Sequence, residues 1–201
     1  CQLVVRADSD IQTLDDLSGH TVSIGAEESG TERNATQILE FAGMPSSLVA
    51  TKNLDYIEAT KELEAGDIDA FFCTAGLTTT VIDELSKECD IRLIPLTDTV
   101  INKMLESSSA YTSEVIPAGT YTGQTTDIST IGVKSVLITT ANVSDDTIEQ
   151  LTSLLFEKEK ELSYSNSLKL ELTYDFATGD IPIPFHDGAK RYYESCGYSV
   201  N

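Results

Sequence analysis

The sequence predicts an α/β protein, and three observations carry that reading. Strand-like apolar runs alternate with amphipathic helical segments between residues 20 and 96. The helical segments are bracketed by start and stop residues of the right kind. Composition is that of a globular chain: 201 residues, 40% apolar, 23% charged, with 12 Gly and 5 Pro. This length accommodates one large domain or two small ones, and either can bury a sizeable core.

Residues 2–6 (QLVVR) read as a buried strand, followed by a short helix at Thr13–Leu17 and a second strand at His20–Ile24. Gly25 ends that strand and Ser29 opens a helix that runs to about Phe41. Ser29 with Glu32 three residues later has the form of a capping box, in which each side chain satisfies an otherwise orphaned backbone N–H. Ala35, Ile38, Leu39 and Ala42 fall on one face of this helix, and Gly43 and Pro45 stop it. A helix at Tyr56–Ala65 stops at Gly66 and precedes an apolar strand, Ile68–Cys73. A helix at Thr79–Lys87 and a strand at Ile91–Leu96 complete the alternation. The pattern predicts βαβ units, mainly parallel pairing, and one closed α/β lobe over residues 7–97.

The second half is rich in helix and poor in strand. It reads as a helix at Asp98–Glu106, a turn-rich stretch at 116–128, one long strand at Thr130–Thr139 and a long helix from Ser144 to about Leu162. Further helical segments follow, among them an amphipathic one near 187–196. One long strand cannot cover the apolar faces of so many helices. Either this half borrows residues 1–6 and little else, or the strands that complete it lie upstream of residue 1, which is the preferred expectation.

Charge excludes several partners. With 13 Lys+Arg against 33 Asp+Glu the net charge is −20, which argues against nucleic acid and against an anionic membrane surface. No run reaches the ~18 apolar residues of a membrane-spanning helix. Four cysteines (Cys1, Cys73, Cys89, Cys196) are too scattered for a disulfide scaffold and form no metal-ligand spacing, so no metal and no cofactor is expected. A Cys73–Cys89 disulfide is not expected either, because the two lie at opposite ends of neighbouring strands. Cys1 reads either as a lipid-modified processed N-terminus or as the start of a truncated chain.

Candidate chemistry centres on Gly25-Ala-Glu-Glu-Ser-Gly-Thr31, between a strand and a helix start. A helix N-terminus offers free N–H groups and a partial positive charge to an anion. Ser29 and Thr31 add hydroxyls, Gly30 permits close approach, and Arg33 and Asn34 lie one turn in. The same residues also suit a plain helix cap. Glu27 and Glu28 are either solvated or placed to take a ligand ammonium. Thr74 and Gly76 follow a buried strand at its carboxyl end, where ligands of open α/β sheets collect, or they form an ordinary tight turn. Enzyme readings do poorly: the two histidines, His20 and His186, are expected to be structural or exposed, and Cys73 is expected to be inert in the core. Nothing here has the form of a catalytic triad, a metal centre or a nucleotide cradle, and the chain is not read as an enzyme.

The run D-S-D-I-Q-T-L-D-D-L-S-G-H-T-V-S-I-G-A-E-E-S-G-T (8–31) resembles the TAXI-type receptors of TRAP transporters. The stretches A-G-D-I-D-A-F-F (65–72), I-P-A-G-T-Y-T-G (116–123), T-I-G-V-K-S-V-L-I-T (130–139) and F-H-D-G-A-K-R-Y-Y (185–193) continue the resemblance in order. It implies a two-lobed, periplasmic-binding-protein-like (type II) fold. The implied function is an extracytoplasmic receptor that closes on a small carboxylate solute (glutamate, glutamine or a dicarboxylate) and delivers it to TRAP membrane subunits. Matched residue by residue, it implies ligand contacts from Ser29, Gly30, Thr31, Asn34, Thr74, Gly76 and Tyr121. Residues 7–97 would form the second lobe, and 1–6 with 98–201 part of a first lobe that is incomplete here. The implied location is periplasmic or extracellular, with a lipid anchor on the full-length protein. The competing reading is the effector-binding domain of a transcriptional regulator of similar architecture, which would need a helix-turn-helix segment upstream.

Overall fold

A computed structural model describes residues 1–166 and 172–201. The chain divides into two compact units, Cys1–Val133 and Lys134–Asn201.

The first unit is built on a five-stranded sheet of β1 (Gln2–Arg6), β2 (Thr21–Ser23), β3 (Ala50–Lys52), β4 (Ala70–Cys73) and β5 (Ile91–Leu93), in the order β3-β2-β4-β1-β5. Its pairing is mixed, whereas mainly parallel pairing was expected. β2 runs parallel to β3 and β4, but β1 runs antiparallel to both β4 and β5. β1 is thus a central strand of this sheet. β1 is hydrogen-bonded on both edges, and residues 98–133 belong to the same compact unit.

Strand periodicity sorts the core onto the two sheet faces. Leu3, Val5, Ala70 and Phe72 face α1 (Gly30–Phe41) and α4 (Asp98–Ser107), with Ala35, Ile38, Val100 and Met104 buried against them. Val4, Phe71 and Cys73 face α2 (Tyr56–Ala65) and α3 (Thr80–Glu88), packing with Ala59, Leu63, Ile82 and Leu85. The sequence between strands supplies sound helix ends: Asp55 with Glu58 forms a reciprocal capping box for α2, and Gly66 closes it at φ 80°. The expected helix at 13–17 is a single 3-10 turn, Leu14–Leu17, whose two leucines are buried.

A hairpin of β6 (Tyr111–Ile116) and β7 (Ile128–Val133) completes the unit. The Thr130 hydroxyl donates to the Cys1 carbonyl, and the Leu96 amide donates to Ser129 O at 2.9 Å, which fastens β7 beside β1. The expected strand at 130–139 is therefore shorter: it leaves the ladder after Val133, and Leu137 and Ile138 are 70% and 71% exposed.

The second unit contains α5 (Asp145–Glu157), α6 (Glu159–Asn166), α7 (Tyr174–Thr178) and α8 (Asp187–Ser195). The expected single helix from Ser144 is two helices, broken at Lys158. Of the further helical segments expected after Leu162, residues 167–171 lie outside the described residues. Its centre is aromatic: Phe156 stacks on Tyr174 at 4.4 Å between ring centres, and Tyr174 stacks on Tyr198 at 5.0 Å. His186 caps α8, its Nδ1 accepting from the Gly188 amide at 3.1 Å.

Candidate functional site

Strand direction brings the candidate residues to one edge of the first unit's sheet. β2, β3 and β4 are mutually parallel, so the segments 24–29, 53–55 and 74–79 all leave from the same edge. The antiparallel β1 begins there, with Gln2 opposite Cys73. This is the carboxyl edge, where α/β sheets place their ligands.

At that edge α1 starts with its Ser29 cap. Ser29 Oγ accepts the Glu32 amide at 3.1 Å, and Ser29 O accepts the Arg33 amide at 3.2 Å. The first four helical amides have no intrahelical acceptor, so those of Gly30 and Thr31 remain available, carrying the helix's partial positive charge. Gly30 is exposed. The expected capping box is displaced by one residue: the Glu32 carboxylate accepts from the Glu28 amide at 2.6 Å and from Asn53 Nδ2 at 2.8 Å, not from Ser29. Gly25 holds φ 98°, and a Cβ there would lie 2.8 Å from Thr31 Cβ and Cγ2. The turn and the helix start are thus packed into one piece.

Behind the free amides lies a shared hydrogen-bond network. Thr31 is 4% exposed, and its hydroxyl meets the Tyr56 hydroxyl at 2.6 Å and accepts the Thr74 amide at 3.4 Å. The Tyr56 hydroxyl also donates to Thr74 O at 3.0 Å. Asn34 is 6% exposed, with Nδ2 donating to Thr74 Oγ1 at 3.2 Å and Oδ1 accepting from the Tyr111 hydroxyl at 3.0 Å. Tyr111 reaches Gln37 as well, at 2.9 Å. Burial pushes the phenols of Tyr56 and Tyr111 above their ordinary pKa, so both stay neutral donors near neutral pH.

The structure thus brings Ser29, Gly30, Thr31, Asn34 and Thr74 together. The side chains of Thr31 and Asn34 are engaged with their neighbours, and both residues are buried, whereas Gly30 is exposed. Tyr121 lies apart from this network: its hydroxyl donates to Gln2 Oε1 at 2.7 Å and accepts the Thr79 amide at 3.3 Å. Gly76 is exposed in the 74–79 segment and takes no part in these bonds. Two non-glycine residues with left-handed backbone, Glu28 and Thr78 (φ 59° each), occupy the two segments flanking the edge. Backbone of this kind is retained mainly where surrounding structure holds it, often at binding sites.

Outside the α1 start, an open groove of about 600 Å³ is lined by Glu28, Ser29, Gly30, Glu32, Arg33 and Gln37, among others. Arg33 is its one cation, against the carboxylates of Glu28, Glu32 and Glu40. Cys73 lies at the end of β4, and burial pushes its thiol up to about 12, so it is protonated and unreactive at neutral pH. Cys73 and Cys89 are both free thiols, and their strands β4 and β5 are separated by β1 rather than being neighbours. No group of three metal-ligating side chains occurs among the described residues.

Tyr56, Tyr111, Asn53 and Gln2 were missed in the sequence. Tyr56 directly follows the Asp55 cap and so belongs at the carboxyl edge, but that inference needs β3, a three-residue strand (ATK) without apolar alternation. Tyr111 opens β6, whose burial is confined to its last residue and which offers no strand pattern.

The chain is similar to the periplasmic aliphatic sulphonate binding protein SsuA of Escherichia coli (15% identity, 97% of this chain and 61% of that one, TM-score 0.49). It is also similar to an ancestral arginine-binding protein bound to arginine (19% identity, 82% and 56%, TM-score 0.43). A glutathione-import structure of Streptococcus mutans matches at 16% identity over 82% and 56%, TM-score 0.45. The chain spans less than two thirds of the length of each of these proteins. At the level of sequence families the match is nearly complete, over residues 1–197, and the chain belongs to the NMT1-like family.

Proposed function

We propose that the protein is the solute-binding component of a transport system, working outside the cytoplasm and handing a small carboxylate solute to membrane subunits. The observation that carries this reading is the α1 N-terminus, with the free amides of Gly30 and Thr31 at the carboxyl edge of the sheet, backed by a network that holds them in place. A carboxylate accepts two such N–H donors at once, without a counter-charge from a side chain. Ser29 Oγ keeps its own proton to donate, and Arg33 adds a cation at the groove. The preferred solutes are glutamate, glutamine and dicarboxylates, and the resemblance of the five ordered segments favours the TRAP type of transporter with TAXI receptors. The full-length protein is read as two-lobed, closing around its ligand, and as periplasmic or extracellular with a lipid anchor. No helix among the described residues is long and apolar enough to cross a membrane. Binding that is tighter in a closed form would shift the population toward closure, which is the signal such a receptor passes on.

Isothermal calorimetry of the chain against glutamate, glutamine, succinate, glutarate and a short alkanesulfonate tests this. Saturable binding to a carboxylate that Ser29→Ala weakens is the expected result. Heat of dilution alone for every compound would remove the proposal.

A further inference from the structure

One side chain at the carboxyl edge has a buried polar group with no partner. Gln2 is 2% exposed and begins β1, opposite Cys73 and so beside Thr74. Its Oε1 accepts from the Tyr121 hydroxyl at 2.7 Å in a buried bond, and the Tyr121 oxygen accepts the Thr79 amide at 3.3 Å. A backbone amide can only donate, so it occupies a lone pair of the Tyr121 oxygen and leaves the hydroxyl proton to Gln2. That proton needs an acceptor, so it fixes which end of the carboxamide meets Tyr121. The other end, Nε2, is thereby a pure donor, and it is buried without an acceptor among the described residues.

A buried N–H donor without an acceptor loses the hydrogen bonds it makes in water, and natural proteins keep few of them. Among the described residues two other buried side-chain atoms lack partners, and neither points to a ligand. Ser23 Oγ belongs to β2, inside the core. Arg92 Nε belongs to a guanidinium whose other nitrogens donate to the carbonyls of Ala7, Ser9 and Ile11. Gln2 instead opens β1 at the edge from which α1 starts, its side chain on the same sheet face as Val4 and Cys73.

We infer that Gln2 Nε2 is a second donor of the solute site, taking an acceptor group at the far end of the ligand while the α1 amides hold its first carboxylate. The inference rests on the proposed function and narrows the solute class. The far group is an acceptor, either a second carboxylate or an amide carbonyl, and not an ammonium, because Nε2 can only donate and an ammonium offers it no lone pair. Tyr121 acts as a positioning residue that fixes this polarity.

Three solutes of similar length separate the possibilities: glutarate, with a carboxylate at the far end; 5-aminopentanoate, with an ammonium; and butyrate, with neither. Calorimetry on the chain should rank glutarate first. Gln2→Leu should weaken glutarate by about tenfold or more, as expected for one lost hydrogen bond to a charged group, and leave butyrate unchanged. Tyr121→Phe should free the carboxamide to turn and narrow the glutarate preference over 5-aminopentanoate. An independent reading comes from the unsubstituted chain labelled with nitrogen-15. The Gln2 side-chain NH₂ pair should shift with glutarate, saturating at the same concentration as the Gly30 amide. If the Gly30 amide shifts while the Gln2 pair stays still, or if Gln2→Leu binds glutarate equally well, the inference fails and the proposed function stands. If no solute moves the Gly30 amide, both fall together.

Discussion

At the scale of single residues, the site is a division of labour between backbone and side chains. Thr31 and Asn34 are the residues whose chemistry first suggests ligand contact, yet their polar atoms hold Tyr56, Thr74 and Tyr111. Thr31→Val keeps the shape and removes the hydroxyl, leaving the Thr74 amide without its acceptor. We expect a loss of about 1–3 kcal/mol in stability, read by urea denaturation. An unchanged midpoint would mean the network carries no weight. Ser29→Ala should lose about 1 kcal/mol through its cap alone, so its effect on binding is to be judged on protein that remains folded. Cys73 supplies a pH test. Its thiol is held protonated up to about 12 by burial, above the ~8.5–9 of an unfolded cysteine. The folded state therefore binds more protons than the unfolded state between those values. Stability contributed by the neutral thiol is complete below pH 9 and is lost as pH rises toward 12. The matching kinetic expectation is that a thiol reagent at pH 8 modifies exposed Cys196 rapidly and Cys73 only on unfolding. Rapid modification of Cys73 in the folded chain would contradict its burial.

At the scale of elements, what could be read in the sequence depended on how strongly each segment's own pattern specified it. α1, α2 and α8 are legible because cap and apolar face coincide within one segment. β3 is not, since ATK has no buried side chain and exists as a strand through its parallel pairing with β2. β1 reads correctly as a strand, but its antiparallel direction is a property of the fold, set by its partners β4 and β5. The run TIGVKSVLIT has strand-like composition throughout and still leaves the hairpin after Val133, where β6 has no further residue to pair with it. The site followed the same rule. Ser29, Gly30 and Thr31 could be found because strand, turn and cap lie consecutively, whereas Tyr56, Tyr111 and Gln2 reach the edge from distant parts of the chain. In the second unit, Gly188 of α8 packs on α5, where an added Cβ would meet the Asp145 carbonyl, lying 2.9 Å from its carbon. Backbone cannot yield as a flexible side chain can, so Gly188→Ala should destabilise this unit by about 1–3 kcal/mol. Hydrogen exchange should quicken in α5 and α8 while β1 and β4 keep their protection. Uniform loss across both units would show that they unfold as one.

At the scale of the whole molecule, the net charge of −20 dominates. Self-repulsion opposes the compact state, and added salt screens it with a Debye length near ~8 Å at physiological ionic strength. The exposed ion pairs, such as Lys158–Glu161 and Arg191–Asp146, contribute too little to reverse that trend. The melting temperature should therefore rise as sodium chloride is raised from near zero to 0.15 M, and a fall would mean that ion pairs outweigh repulsion. The same negative field opposes capture of an anionic solute, and the groove itself carries Glu28, Glu32 and Glu40 against Arg33, so capture falls to the free amides of the α1 start. The most direct measurement is a nitrogen-15 correlation spectrum of the chain titrated with glutarate and glutamate. The account predicts saturable, concentrated shifts at the backbone amides of Gly30 and Thr31, with smaller ones at Thr74. A spectrum in which those amides stay fixed while others move would contradict it.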